Sequence, residues 1–148
     1  MAIFGAGSMW DGTDEQKQEF FESNNYVIGW DYAEARDVYF ALSSLKVGDI
    51  IYLKSNQPGS RTIRVKGIGL VTKPLIDKLF NSMYGKDNIT DIDPVIEVKW
   101  VNKEEFHITI PETEGRLTNI RAATFFEEYL PYVQDEILNK IFSSIEIQ

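Results

Sequence analysis

The chain has no cysteine, one histidine (His107) and no apolar run long enough to cross a bilayer. Without cysteine there are no disulfides, no thiolate metal sites and no thiol nucleophile. His107 falls in a strand pattern with no partner motif, so a serine nucleophile would lack its usual base. The carboxylates show no metal-ligand spacing, and neither a metal nor a cofactor is expected. A basic-then-apolar leader is also missing, which predicts a cytoplasmic protein with no membrane partner. Cations are scarce as well: 15 Lys and Arg stand against 23 Asp and Glu, a net charge of -8. Tight non-specific binding to a phosphate backbone needs clustered cations that release counterions, so any nucleic-acid contact should be local, a pocket for one nucleotide.

What the chain does have is apolar content, 43% hydrophobic and 13% aromatic over 148 residues. That is enough for one compact core, and no Pro/Gly/Ser-rich linker divides it, so residues 1–148 read as a single domain. The mixture of strand and helix patterns predicts an α+β fold. Its centre is Leu45-Lys46-Val47-Gly48-Asp49-Ile50-Ile51-Tyr52-Leu53-Lys54, then Gln57-Pro58-Gly59-Ser60, then Arg64-Val65-Lys66-Gly67-Ile68-Gly69-Leu70-Val71. Two β-rich runs about a turn-forming stretch predict an antiparallel hairpin.

Before this hairpin, Ala2-Ile3-Phe4 leads into the glycine-rich Gly5-Ala6-Gly7-Ser8-Met9-Trp10-Asp11-Gly12. Gly5-x-Gly7 lacks the third glycine and the preceding strand of a dinucleotide fingerprint. Trp10 reads either as a lid over the core or as a stacking surface. Thr13 and Gln16 have capping-box spacing for a short helix carrying Phe20 and Phe21, ended at Asn24-Asn25. Tyr26 to Trp30 reads as a strand. Asp31-x-x-Glu34 then opens a helix whose Ala35, Val38, Leu42 and Leu45 share one face. After the hairpin, Leu75 to Phe80 suggests a helical turn and 81–93 a polar loop. Pro94 to Val101 and Phe106 to Ile110 read as strands. Thr118 or Asn119 caps a helix over 122–129, stopped by Pro131. Val133, Ile137 and Ile141, with Leu138 and Phe142, make a final amphipathic helix.

Trp30, the helix after it, Leu45-Lys46-Val47-Gly48-Asp49, Tyr52, the hydrophilic hairpin and Gly67-Ile68-Gly69-Leu70-Val71 resemble the EVE members of the PUA-like superfamily, with related ASCH and YTH domains sharing the Gly-Asp corner. The resemblance covers Trp30 to Pro74, and Val95 to Val101 loosely; the glycine-rich start and the C-terminal helical extension lie outside it. It implies a PUA-like bent β-barrel flanked by helices, with a cleft that accepts a nucleotide or a modified base. Such a site needs an aromatic face for stacking and a few polar groups for the base edge. Trp10 and Trp30 are the stacking candidates, although Trp30 also reads as a core plug. Tyr52 faces either core or cleft. Ser8, Asp31, Ser55 and Asn56 are candidate edge contacts. Lys54, Arg61, Arg64 and Lys66 bracket the hairpin, either as a phosphate-contacting patch or as charge guarding a strand edge. Arg121, expected in the first turn of a helix, is unfavourable to the helix dipole and calls for an anionic ligand or a carboxylate as partner.

The expected function is a non-catalytic domain binding a nucleotide or modified nucleobase, in DNA or RNA, as a prokaryotic sensor would. A protein-interaction adaptor docking through Ile137, Ile141 and Phe142 is the alternative from another class. An enzymatic alternative is Glu97-Val98-Lys99, an E-x-K that would serve a Mg²⁺-dependent nuclease if Asp91 or Asp93 supplied the second acid. The same triplet also arises on the polar face of any strand.

Overall fold

The computed structural model describes residues 1–57, 59–77, 94–114 and 124–146. Their order is β1 (Ile3–Ala6), β2 (Met9–Trp10), β3 (Asp14–Glu15), α1 (Lys17–Ser23), β4 (Asn25–Val27) and α2 (Arg36–Ser43). There follow β5 (Ile50–Ser55), β6 (Thr62–Lys73), β7 (Val95–Asn102), β8 (Phe106–Thr109), β9 (Phe125–Glu127) and α3 (Pro131–Glu146). The fold is α+β: a seven-stranded mixed sheet, ordered β4-β7-β6-β5-β1-β9 with β8 also on β6, curls into a half-barrel flanked by helices. β1 and β5 run parallel, and the other neighbours in this sheet are antiparallel. β2 and β3 form a separate hairpin.

The central pair is where the sequence places it. β5 and β6 are antiparallel, and the Gly48-Asp49 corner is tied down by both carboxylate oxygens of Asp49, which accept from the Ala2 and Lys46 amides. β6 carries the curl. Its first part pairs with β8, from Thr62↔Thr109 to Val65↔Phe106, and its second part pairs with β7, from Ile68↔Asn102 to Lys73↔Glu97. Between these parts the register with β5 slips: Leu53 faces Gly67, whereas Lys54 faces Val65. Lys66 is the extra residue of this bulge. Ile63 and Val65 pack on the same side as Ile68 and Leu70, so the bulge reverses the alternation and re-aims Lys66. Gly69 lies under β7, where an added Cβ would stand 2.3 Å from Val98 Cγ1.

Each face of the sheet has its own core. One contains Phe4, Phe20, Phe21, Tyr26, Trp100 and Phe125; the other is dominated by Ile50, Ile63, Val65, Ile68, Ile108 and the α3 side chains Val133, Ile137 and Ile141. The i, i+4, i+8 spacing of the α3 residues predicts this seam. It also uses the apolar face through which an adaptor would dock: Ile137 and Ile141 are buried, and only Phe142 is exposed.

Five local expectations are corrected. Thr13 does not cap α1. It ends the β2–β3 turn, where Asp11 and Gly12 both take positive φ and Thr13 N–H donates to Trp10 O; Gln16 is the N-cap residue. The strand expected over Tyr26 to Trp30 stops at Val27, because Gly29 lies against the Trp10 ring and no longer follows the sheet. Asp31 opens only a turn, its carbonyl accepting from Glu34 and Ala35, and α2 begins at Arg36. The helix expected over 122–129 is a strand where it is described: Phe125 to Glu127 pair with Phe4 to Ala6, and Phe125 stacks on Phe4 at 5.2 Å. The bonding groups of β1 left unpaired by β5 outweigh the helix propensity of that segment. Pro131, expected as a stop, sits in the first turn of α3, where its missing N–H costs nothing.

Candidate functional site: an aromatic groove beside the β2–β3 hairpin

Where β4 ends, the chain leaves the sheet through Ile28-Gly29-Trp30-Asp31 and borders an open groove of about 470 Å³. Trp10, Trp30, Tyr32 and Tyr39 line it together with Asp31. Trp10 reaches it from the hairpin, edge-on to Phe20 at 6.5 Å. Its indole covers Gly29 so closely that a Cβ there would stand 2.6 Å from Trp10 Cδ1. A side chain at position 29 would evict the ring. Trp30 is 50% exposed, which excludes the core-plug reading. Its backbone is held instead, by the Tyr39 hydroxyl donating to Trp30 O at 2.7 Å. Tyr39 in turn meets Tyr32 edge to face at 5.5 Å, and the Arg36 guanidinium lies 5.7 Å from the centre of the Tyr32 ring.

The hairpin that carries Trp10 is pinned from beneath. Lys66, 1% exposed, puts Nζ 2.8 Å from Glu15 Oε1 and donates to Ser8 Oγ at 3.1 Å, while Ser8 Oγ donates to Glu15 Oε2 at 2.7 Å. Ser8 precedes β2 and Glu15 ends β3, so one buried ammonium joins both legs. Burial alone would raise the Glu15 carboxyl, but the hydrogen bonds from Lys66 and Ser8 outweigh it and leave its pKa below the ordinary 4.5. The cluster is closed on itself. Ser8 and Lys66, expected at a base edge and a phosphate, instead tie together the two legs of the hairpin that carries Trp10.

The remaining candidates lie elsewhere. Tyr52 is fully buried on the α3 side and donates to Glu128 Oε1 at 2.5 Å; burial and the adjacent carboxylate push its phenol well above 10. Lys54 is buried too, donating to Asn56 Oδ1 at 2.7 Å and lying 4.8 Å from the centre of the Phe126 ring; burial lowers its ammonium to about 8, against the opposing pull of Glu128. Asn56 Nδ2 has no partner among the described residues. Neither Asn56 nor Ser55 lines the groove. Arg64 forks onto Glu105, at 3.0 Å from Nε and 2.7 Å from Nη2, and Lys17 joins the same carboxylate. These bonds, Arg64 first, hold Glu105 down to about 2. Arg61 donates to the carbonyls of Ile110 and Pro111. The hairpin cations thus do not form an open patch: two are buried and the other two are engaged with a carboxylate or backbone oxygens. Arg121 lies outside the described residues, as do Asp91 and Asp93. Glu97 and Lys99 are exposed on β7, and among the described residues no three acidic or histidine side chains gather to hold a metal ion.

Sequence reasoning missed Tyr32 and Tyr39. Their seven-residue separation, two turns of an ideal helix, was the available signal, but the chain from Asp31 to Ala35 is a turn, and only Tyr39 is helical. It also missed the Asp11-Gly12 hairpin turn, a strong local signal for two left-handed residues. No protein-family model matches this chain, and no curated protein matches it.

Proposed function

We propose that this chain is a non-catalytic binding domain of PUA-like design that takes a nucleotide or a modified nucleobase in the groove between Trp10 and Trp30. The observation that carries the reading is the groove itself: four aromatic side chains around about 470 Å³ of open space, a volume within the range of small-molecule sites. Exposed rings on a water-filled groove are costly unless a flat apolar partner covers them, and a base offers such a face whatever its sequence context. The half-exposed Trp30 supports this use, because its indole is left partly in water while its backbone is fixed by Tyr39. The adjacent β5 and β6, with the Gly48-Asp49 corner and Gly67-Ile68-Gly69, support the PUA-like assignment. Phosphate neutralisation contributes little to this reading, since the hairpin cations are engaged internally. The ligand is accordingly one nucleotide or one extruded base.

The test is a tryptophan-fluorescence titration with nucleosides and short single-stranded oligonucleotides, methylated and unmethylated. Saturable quenching that vanishes in Trp30→Ala is the expected result. No response across the panel from a chain shown to be folded overturns the proposal.

A further inference from the structure

Asp31 is the one charged side chain among the described residues that line the groove. Its carbonyl closes the following turn, but its carboxylate makes no hydrogen bond or ion pair with any described residue. This carboxylate places a negative charge beside the four aromatic side chains on which a flat ligand would stack. The faces of indole and phenol rings carry negative potential, as does the carboxylate, and both favour a cation over a neutral group of equal shape. The Tyr32 ring already demonstrates the preference, with the Arg36 guanidinium 5.7 Å from its centre. The chain's net charge of -8 adds a field of the same sign.

From this arrangement we infer that the base preferred by the groove is itself positively charged: a purine or pyrimidine alkylated on a ring nitrogen so that the ring carries a fixed or readily acquired proton-borne charge. The inference rests on the nucleobase reading above and narrows it. Stacking supplies the affinity common to all bases, and Asp31 with the ring faces supplies the discrimination. A base methylated on an exocyclic amine or on carbon stays neutral and gains only the stacking.

Isomeric pairs separate charge from size. The full-length chain is titrated at mildly acidic pH with 1-methyladenosine against N6-methyladenosine, and with 3-methylcytidine against 5-methylcytidine; the first of each pair is cationic and the second neutral. The cationic isomer should bind about tenfold more tightly, the scale of one desolvated cation–π contact or ion pair. That ratio should fall towards one in Asp31→Asn and shrink with added salt. Asp31 is exposed and its side chain holds nothing, so the variant keeps the fold, which circular dichroism checks. Equal affinities within both pairs, or tighter binding of the neutral isomers, overturn this inference and leave the nucleobase reading standing. A trimethyllysine peptide that binds where every nucleoside fails overturns both, as does silence from all of these probes.

Discussion

On one face of the sheet the core is built from rings: Phe4 stacks on Phe125, Phe20 meets Tyr26 at 5.1 Å, and Phe21 meets Trp100 at 5.1 Å. On the other face Tyr52 is surrounded by isoleucine and valine, and one amphipathic helix closes the layer. The two solutions leave different surfaces. Branched aliphatic side chains interlock with Val133, Ile137 and Ile141 of α3 and seal their layer. Rigid rings pack only where the backbone gives way, which is why Gly29, Gly67 and Gly69 all lie under an aromatic side chain on this side. Where the ring packing reaches the edge of the sheet it continues outward as Trp10, Trp30, Tyr32 and Tyr39. The groove is the open end of the aromatic layer.

The largest way to break the comparison is to remove one side chain from each layer. Trp100→Ala deletes a buried indole together with the hydrogen bond that it donates to the Phe20 carbonyl at 2.8 Å, so it should cost about 4 kcal/mol in urea unfolding. Ile137→Ala should cost about 3 kcal/mol in the same assay but leave ligand titration at the groove unchanged. If Ile137→Ala weakened binding as much as Trp100→Ala, the layers would not be separable.

Next in size is the latch under the hairpin. Lys66→Met leaves Glu15 and Ser8 without their shared donor and should cost about 2 to 3 kcal/mol, with a red shift of Trp10 emission; an unshifted spectrum would show that Lys66 does not place the ring. The same latch has an acid side. The Glu15 pKa is lower folded than free, so its contribution is present above the ordinary 4.5 and is lost as pH falls through the folded value. Acid titration should therefore change Trp10 emission before the global transition in the parent chain, and not in Glu15→Gln.

Smaller in stability, but larger for the site, is Gly29→Ala. Its Cβ meets the root of the Trp10 ring, so about 1 to 2 kcal/mol of overpacking should accompany at least a tenfold loss of ligand affinity. Smallest of all is Trp30→Ala: with the indole half in water, thermal unfolding should move by less than about 0.5 kcal/mol while quenching by nucleosides is abolished. A strongly destabilised Trp30→Ala would make that residue part of the core instead.

By itself the sequence determined the central pair and the apolar stripe of α3, because both are signals local to one stretch of chain. β5 opens on an unbroken apolar run from Ile50 to Leu53, apolar residues recur every four residues in α3, and Gly48-Asp49 marks the corner between strand and preceding turn. It also singled out Trp10, Trp30 and Asp31, which the fold brings to one groove. What only the tertiary structure decided was the partner of each polar side chain. Lys66 looks like any lysine on the polar face of a hairpin until the bulge in β6 turns it inward between Ser8 and Glu15, and nothing local announces that one-residue slip. Phe125 to Glu127 read as helix because propensity is a property of neighbours in sequence, whereas the open edge of β1, more than a hundred residues away, selects a strand. Hydrophobic period is written along the chain, while charge pairing and strand pairing depend on what folding brings within 3 Å.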